Sequence, residues 1–202
     1  PSNPSNVWAC LRTIESFGIQ YVDVVIQSSL YKGKAAISQK RGMRTAVGSA
    51  QWLSIGNHGS SVAAVKKLRE EQNCLIYASD LNPTSKDIRK IDWTSAECSD
   101  RPICIVMGNE NVGITEEMRE LVDGTFTLPM SGFAESYNLS VATAITLAHL
   151  SAASQGDKGP LRPGDLQEHE YNTLFLKGLL NSVAQPKMGY AVLRREGIEL
   201  PE

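Results

Sequence analysis

Pro102-Ile-Cys-Ile-Val-Met-Gly-Asn-Glu-Asn-Val-Gly-Ile-Thr-Glu-Glu-Met118 carries the pattern that decides the fold. Its first part, Pro102 to Met107, is an unbroken apolar run with none of the polar alternation of a half-exposed strand. Such a run reads as a strand covered on both faces. A loop flanked by Gly108 and Gly113 follows, and Thr115 then opens a helix with a capping-box-like start.

Working outward, the same alternation recurs. Upstream, a helix over Ser5–Phe17 with Gly18 at its C′ position precedes a β-branched strand, Tyr21–Gln27. A short strand is expected over Gln51–Ile55, a helix over Ser61–Glu71, and a strand over Cys74–Ala78. Residues 79–100 read as irregular, with a turn at Asn82-Pro83. Downstream come a strand over Gly124–Leu128 and a helix over Leu139–Leu150 that is apolar almost all round, so buried or at an interface. Helices alternating with such strands predict an α/β fold: a mostly parallel sheet with helices on both faces. Gly156–Gly164 reads as a flexible connector to helices over Asp165–Asn181 and Gly189–Glu196. Residues 1–154 are therefore expected to form one domain, and residues 155–202 a helical extension packed on it.

The 202 residues are 42% hydrophobic and 21% charged, ordinary for a globular chain. No stretch is long and apolar enough to span a bilayer, and no signal peptide is visible. Cys10, Cys74, Cys98 and Cys104 form no CxxC and do not cluster in sequence with His58, His149 or His169, so free thiols are expected and no metal site. These features predict an intracellular protein, cytoplasmic unless a targeting segment once preceded Pro1. Net charge is only −2, yet residues 24–69 hold no carboxylate and eight cations, Lys32, Lys34, Lys40, Arg41, Arg44, Lys66, Lys67 and Arg69. A one-signed region of this kind suits a phosphate backbone. A solvated basic loop explains it as well.

Three segments concentrate polar groups and glycine where chemistry needs them. The first is Asn6-Val-Trp-Ala-Cys-Leu-Arg12, with Phe17-Gly18 behind it. The second is the Gly108–Ile114 loop, at the carboxyl end of a strand, where α/β sheets place ligands. It lacks the Lys of a P-loop and the third glycine of a dinucleotide fingerprint. The third is Leu128-Pro-Met-Ser-Gly-Phe-Ala-Glu-Ser-Tyr-Asn-Leu-Ser-Val-Ala142, whose Ser136 and Asn138 could equally be helix caps.

In this order, the three segments resemble motifs 1, 2 and 3 of the SpoU (TrmH) family of the SPOUT superfamily of RNA methyltransferases. Tyr77-Ala-Ser-Asp-Leu81, Arg89-Lys-Ile-Asp-Trp93 and the tail from Asp165 extend the similarity toward the TrmH branch, which acts on a guanosine ribose in the tRNA D-loop. The resemblance implies a C-terminal trefoil knot, a homodimer, tRNA as partner, S-adenosylmethionine as methyl donor and S-adenosylhomocysteine as product. It implies a cofactor pocket of Ser79, Gly108, Leu128, Met130, Tyr137 and Asn138. It points to Arg12 as central to catalysis, assisted by Asn6, Glu110, Ser136 and Asn138. Lys40, Arg41 and Arg44 are the expected tRNA contacts. Tyr137 stands where the family commonly has Leu, which reshapes the expected adenine slot. Three rivals remain open at this point: a ribosomal RNA substrate, an RNA-binding relative without catalysis, and a nucleotide switch built on the Gly108 loop.

Overall fold

The computed structural model describes residues 4–25, 48–109, 111–156, 158–162, 166–182 and 186–197. The chain divides into two compact units, Pro1–Pro163 and Gly164–Glu202.

In the first unit the expected parallel α/β architecture is present, in two sheets rather than one. The small sheet pairs β1 (Tyr21–Val25) with β2 (Ser54–His58) in parallel. The larger has four parallel strands in the order β4 (Lys86–Asp87), β6 (Gly124–Thr127), β3 (Leu75–Ser79), β5 (Ile103–Val106). Among the described residues the helices are α1 (Pro4–Ser16), α2 (Ser61–Glu70), α3 (Ala96–Asp100), α4 (Glu116–Leu121) and α5 (Leu139–Ala153).

Strand periodicity assigns the two faces of the larger sheet. Leu75 and Tyr77 of β3 point into a core with Trp93, Phe126, Leu147 and Leu150, against α5. Ile76 and Ala78 point the other way, toward Val65 and Leu68 of α2 and Met118 of α4. Helices therefore cover both faces, which is why these strands read as uninterrupted apolar runs. Trp93 meets Tyr77 and Phe126 edge-on, at 5.1 and 6.4 Å between centroids, and its Nε1 donates to the Ile88 carbonyl. Burying a side chain of this size stabilises by roughly 2–3 kcal/mol. Trp8 and Leu11 of α1 pack with Leu53, Val22 and Ile55 of the small sheet, while Ile14 and Phe17 reach the main core.

Three local expectations change. The strand expected over Gln51–Ile55 begins only at Ser54, because Gly48, at φ 86°, starts a 3-10 turn over Ser49–Trp52. Residues 79–100 hold β4, a 3-10 turn at Ile88–Lys90 and α3, because Ile88, Trp93 and Cys98 are buried and pull the segment into the core. The described residues of the connector after α5 are tied down up to Arg162: Gln155 and Lys158 exchange backbone hydrogen bonds, the Ser154 hydroxyl accepts from the Leu161 amide, and Arg162 donates to the Ser99 carbonyl. In the second unit, α6 (Glu168–Ser182) and α7 (Pro186–Arg195) follow the expected helices. None of the helices is long and apolar enough to cross a membrane among the described residues.

Candidate functional site

Parallel strands bring their carboxyl ends to one edge, and register decides which residues meet there. Ala78 pairs with Val106 and Ser79 with Phe126. Ser79 therefore ends β3 between two chain exits, Met107-Gly108 from β5 and Leu128 from β6. Three of the residues implied for the cofactor thus come to adjacent positions from separate parts of the sequence.

The Gly108 loop is folded tightly on itself. Asn109 and Gly113 exchange backbone hydrogen bonds of 2.8 Å in both directions, and the Asn109 carboxamide accepts from the Asn111 amide. A Cβ at Gly108 would lie 2.5 Å from the Gly113 carbonyl carbon and 2.7 Å from the Ile114 nitrogen, so only glycine fits. Gly113, at φ 67°, makes the return turn. Glu110, expected as a catalytic residue, lies outside the described residues, as do Lys40, Arg41 and Arg44.

The loop after β6 leaves Leu128 buried and Met130 half-buried, and exposes residues 131–138. Tyr137 donates its hydroxyl to the Pro129 carbonyl at 3.1 Å, closing the loop over its own base. Asn138 does two things. Its Oδ1 caps α5, accepting from the Ser140 amide and hydroxyl, and its Nδ2 donates to Oδ1 of Asn6 at 3.2 Å. Capping is a role the sequence offered for Asn138, and the same side chain also reaches α1. Cys10 and Thr143 meet one turn further along α1, at 3.4 Å. Segments 132 residues apart are thereby joined.

Arg12 is exposed on α1, and among the described residues its guanidinium makes no hydrogen bond or ion pair. It sits about 200° round the helix from Cys10. The face of α1 that meets α5 is thus a different face from the one carrying Arg12. Ser136 is exposed, with no described partner.

Polar pairs across the fold escaped the sequence reading, two of them beside strand ends or across a sheet. Asp80, one residue past β3, takes Arg119 of α4 at 2.8 Å and 3.4 Å, with its side chain only 8% exposed. The hydrogen bonds to Asp80 push the Arg119 guanidinium above its ordinary range. His58 contacts Asp23 at 2.6 Å across the small sheet, opposite Gly56, whose missing side chain leaves room for the carboxylate. A carboxylate inside a β-branched run, and an Asp closing an apolar strand, were the available signals. In the second unit, a groove lined by Leu166, Tyr171, Leu174, Phe175, Gly178 and Leu179 holds no titratable group except the Tyr171 phenol.

A model described as the SpoU rRNA Methylase family matches residues 1–148. The chain belongs to this SpoU family. Among SpoU relatives, the tRNA (guanosine(18)-2'-O)-methyltransferase of Escherichia coli (strain K12) is 32% identical over 203 residues, covering 98% of this chain and 78% of that protein. The enzyme of the same name from Aquifex aeolicus (strain VF5) is 29% identical over 92% of this chain and 81% of its own length. Among solved structures, the A. aeolicus TrmH/SpoU tRNA modifying enzyme superposes with a TM-score of 0.64 at 25% identity, covering 90% of this chain and 85% of that one. The SpoU methyltransferase AviRb from Streptomyces viridochromogenes, solved with the cofactor AdoMet, shares the fold at TM-score 0.60 and 20% identity, over 73% of this chain and 55% of its own.

Proposed function

We propose that this SpoU chain transfers a methyl group from S-adenosylmethionine to the ribose 2′-hydroxyl of a guanosine in the tRNA D-loop. The reading is carried by its 32% identity, over 98% of its length, to an enzyme named for guanosine-18 2′-O-methylation in tRNA. The juxtaposed Ser79, Gly108 and Leu128, and the Asn6–Asn138 contact, support it.

The residues at the strand edge fit an adenosyl group. Buried Leu128, half-buried Met130 and the Tyr137 ring offer an apolar wall, and the side-chain-free Gly108 lets the backbone approach a ligand closely. Held by these residues, S-adenosylmethionine would supply an electrophilic methyl on its sulfonium, with S-adenosylhomocysteine as the by-product. A neutral hydroxyl is a poor nucleophile, so its proton must depart as the new C–O bond forms. Arg12 acts as a donor: its fork holds a flanking phosphate and stabilises the developing 2′-oxyanion, while a neighbouring phosphate relays the departing proton to water. Asn6, Asn138, Ser136 and Glu110 orient the sugar. Lys40, Arg41 and Arg44 hold the tRNA backbone.

The enzyme acts as a homodimer. The apolar helix α5 leaves Val141 45% exposed together with Ala148, a face suited to a second copy. A dimer in which Arg12 serves the partner's strand edge accommodates the different face of α1 on which Arg12 lies. The SPOUT trefoil knot, threaded through the Gly108 and Leu128 segments, and the helical extension over residues 155–202 belong to the same reading. A tRNA substrate implies an intracellular site of action.

The experiment is to incubate unmodified tRNA and ribosomal RNA with the protein and S-adenosylmethionine and map 2′-O-methylation by sequence. A methylated guanosine in the tRNA D-loop is expected. Methylation of ribosomal RNA alone would replace the substrate, and no methylation of either would return the chain to an RNA-binding role.

A further inference from the structure

We infer that the Asp80–Arg119 ion pair is a positioning element for the methyl-donor site, an inference that rests on the proposed function. Strand parity puts Asp80 on the same face as Ile76 and Ala78, toward α2 and α4. Its amide still donates to the Phe126 carbonyl at 2.9 Å, so the residue remains part of the sheet edge. Its carboxylate, 8% exposed, holds Arg119 in a near-bidentate pair, and Glu116 holds the same guanidinium from α4. Arg119 lies on the helix that begins directly after the Gly108–Ile114 loop.

The loop is thus tethered at both ends to one strand. Where it leaves β5, Val106 pairs with Ala78; where it enters α4, Arg119 grips Asp80, one residue beyond Ser79. Asn109 and Gly113 pin its neck, and buried Ile114 and Met118 pack its exit against Ile76 and Ala78, so the ion pair adds a directional tie to a loop end that packing alone otherwise holds. Releasing the second lets Gly108 shift away from Ser79 and Leu128. Positioned backbone donors lose effect with displacements of about 1 Å.

The sheet supplies an internal control. Arg69 of α2 pairs with Asp123 at 2.8 Å, at the amino end of β6, where Asp123 also accepts from the Ile76 amide. This pair likewise joins a helix to the sheet, on the side away from the site. Arg69 also donates to the Leu121 carbonyl at 2.6 Å, at the far end of α4, so its loss reports what ties on the side away from the loop contribute.

The test measures S-adenosylhomocysteine affinity by calorimetry, tRNA affinity, and thermal midpoint for wild type, Arg119→Met, Arg119→Lys, Asp80→Asn and Arg69→Met. Arg119→Met and Asp80→Asn are expected to weaken S-adenosylhomocysteine at least 10-fold with tRNA affinity within 2-fold of wild type. Arg119→Lys, which keeps one charged contact, recovers part of the loss. Arg69→Met lowers the midpoint comparably and leaves cofactor affinity within 2-fold. Equal cofactor affinity in Arg119→Met and Arg69→Met overturns the positioning role; should Asp80→Asn not fold, the Arg119 pair of variants decides. A wild-type protein that binds no S-adenosylhomocysteine refutes the proposed function itself, a separate outcome.

Discussion

At the residue scale, the site rests on side chains whose chemistry cannot be exchanged. Arg12 is assigned a planar, permanently charged fork; Lys keeps the charge and loses the fork. Arg12→Lys should lower kcat at least 100-fold with little change in melting temperature, because the residue is exposed. Single-turnover methylation checks this, and a rate near wild type removes Arg12 from the chemistry. Gly108 is constrained by space instead. The Cβ of Gly108→Ala must displace backbone at 2.5–2.8 Å, so the loop opens. Strain of about 1–3 kcal/mol should appear as a lower melting temperature, accompanied by loss of measurable S-adenosylhomocysteine binding. The glycines and polar residues of the three motifs were legible in sequence through spacing and resemblance. Asp80 and Arg119 were not, because an ion pair across 39 positions leaves no local pattern.

At the scale of elements, β5 and α5 each carry a polar group that the core does not solvate. Cys104 on β5 is half-buried, and its thiol is pushed up to about 12, first by desolvation and then by the neighbouring Cys74 and Asp23. The sign follows from linkage. The unfolded thiol ionises near 9, so between pH 9 and pH 12 the unfolded state releases protons that the folded state keeps. Stability from this group is complete below pH 9 and is lost as pH rises through that window. Cys104→Ala should flatten the alkaline limb of a melting-temperature profile by an amount on the order of a few kcal/mol; an unchanged limb excludes Cys104 as its source. On α5, the hydroxyl of Thr146 is fully buried and makes no hydrogen bond among the described residues. Thr146→Val removes an unsatisfied group of nearly the same shape and should raise the melting temperature or leave it unchanged. A drop of several degrees would reveal a partner for that hydroxyl.

At the scale of the whole molecule, the proposed dimer makes a quantitative prediction. If Arg12 serves the partner's strand edge, a mixture of Arg12→Ala and Gly108→Ala chains builds heterodimers with one doubly damaged site and one intact site. Random re-pairing of equal amounts then restores about a quarter of wild-type activity. If Arg12 serves its own chain, no mixture restores anything. Val141→Asp, on the exposed face of α5, should shift the protein toward monomer by light scattering and abolish the restoration.

The sequence alone determined the alternation of helices and strands, because an apolar run without polar alternation can sit only between two covering layers. It also determined the family, because motif spacing reflects local backbone needs: glycine where chains crowd, Asn where a helix begins. Tertiary structure decided what lies far apart in the chain. It split the strands into two sheets, placed Ser79, Gly108 and Leu128 side by side through strand register, and joined Asn6 to Asn138. It also drew residues 79–100, which look irregular along the chain, into order through Ile88, Trp93 and Cys98. Register and long-range packing are properties of pairs of segments, and no single segment encodes them.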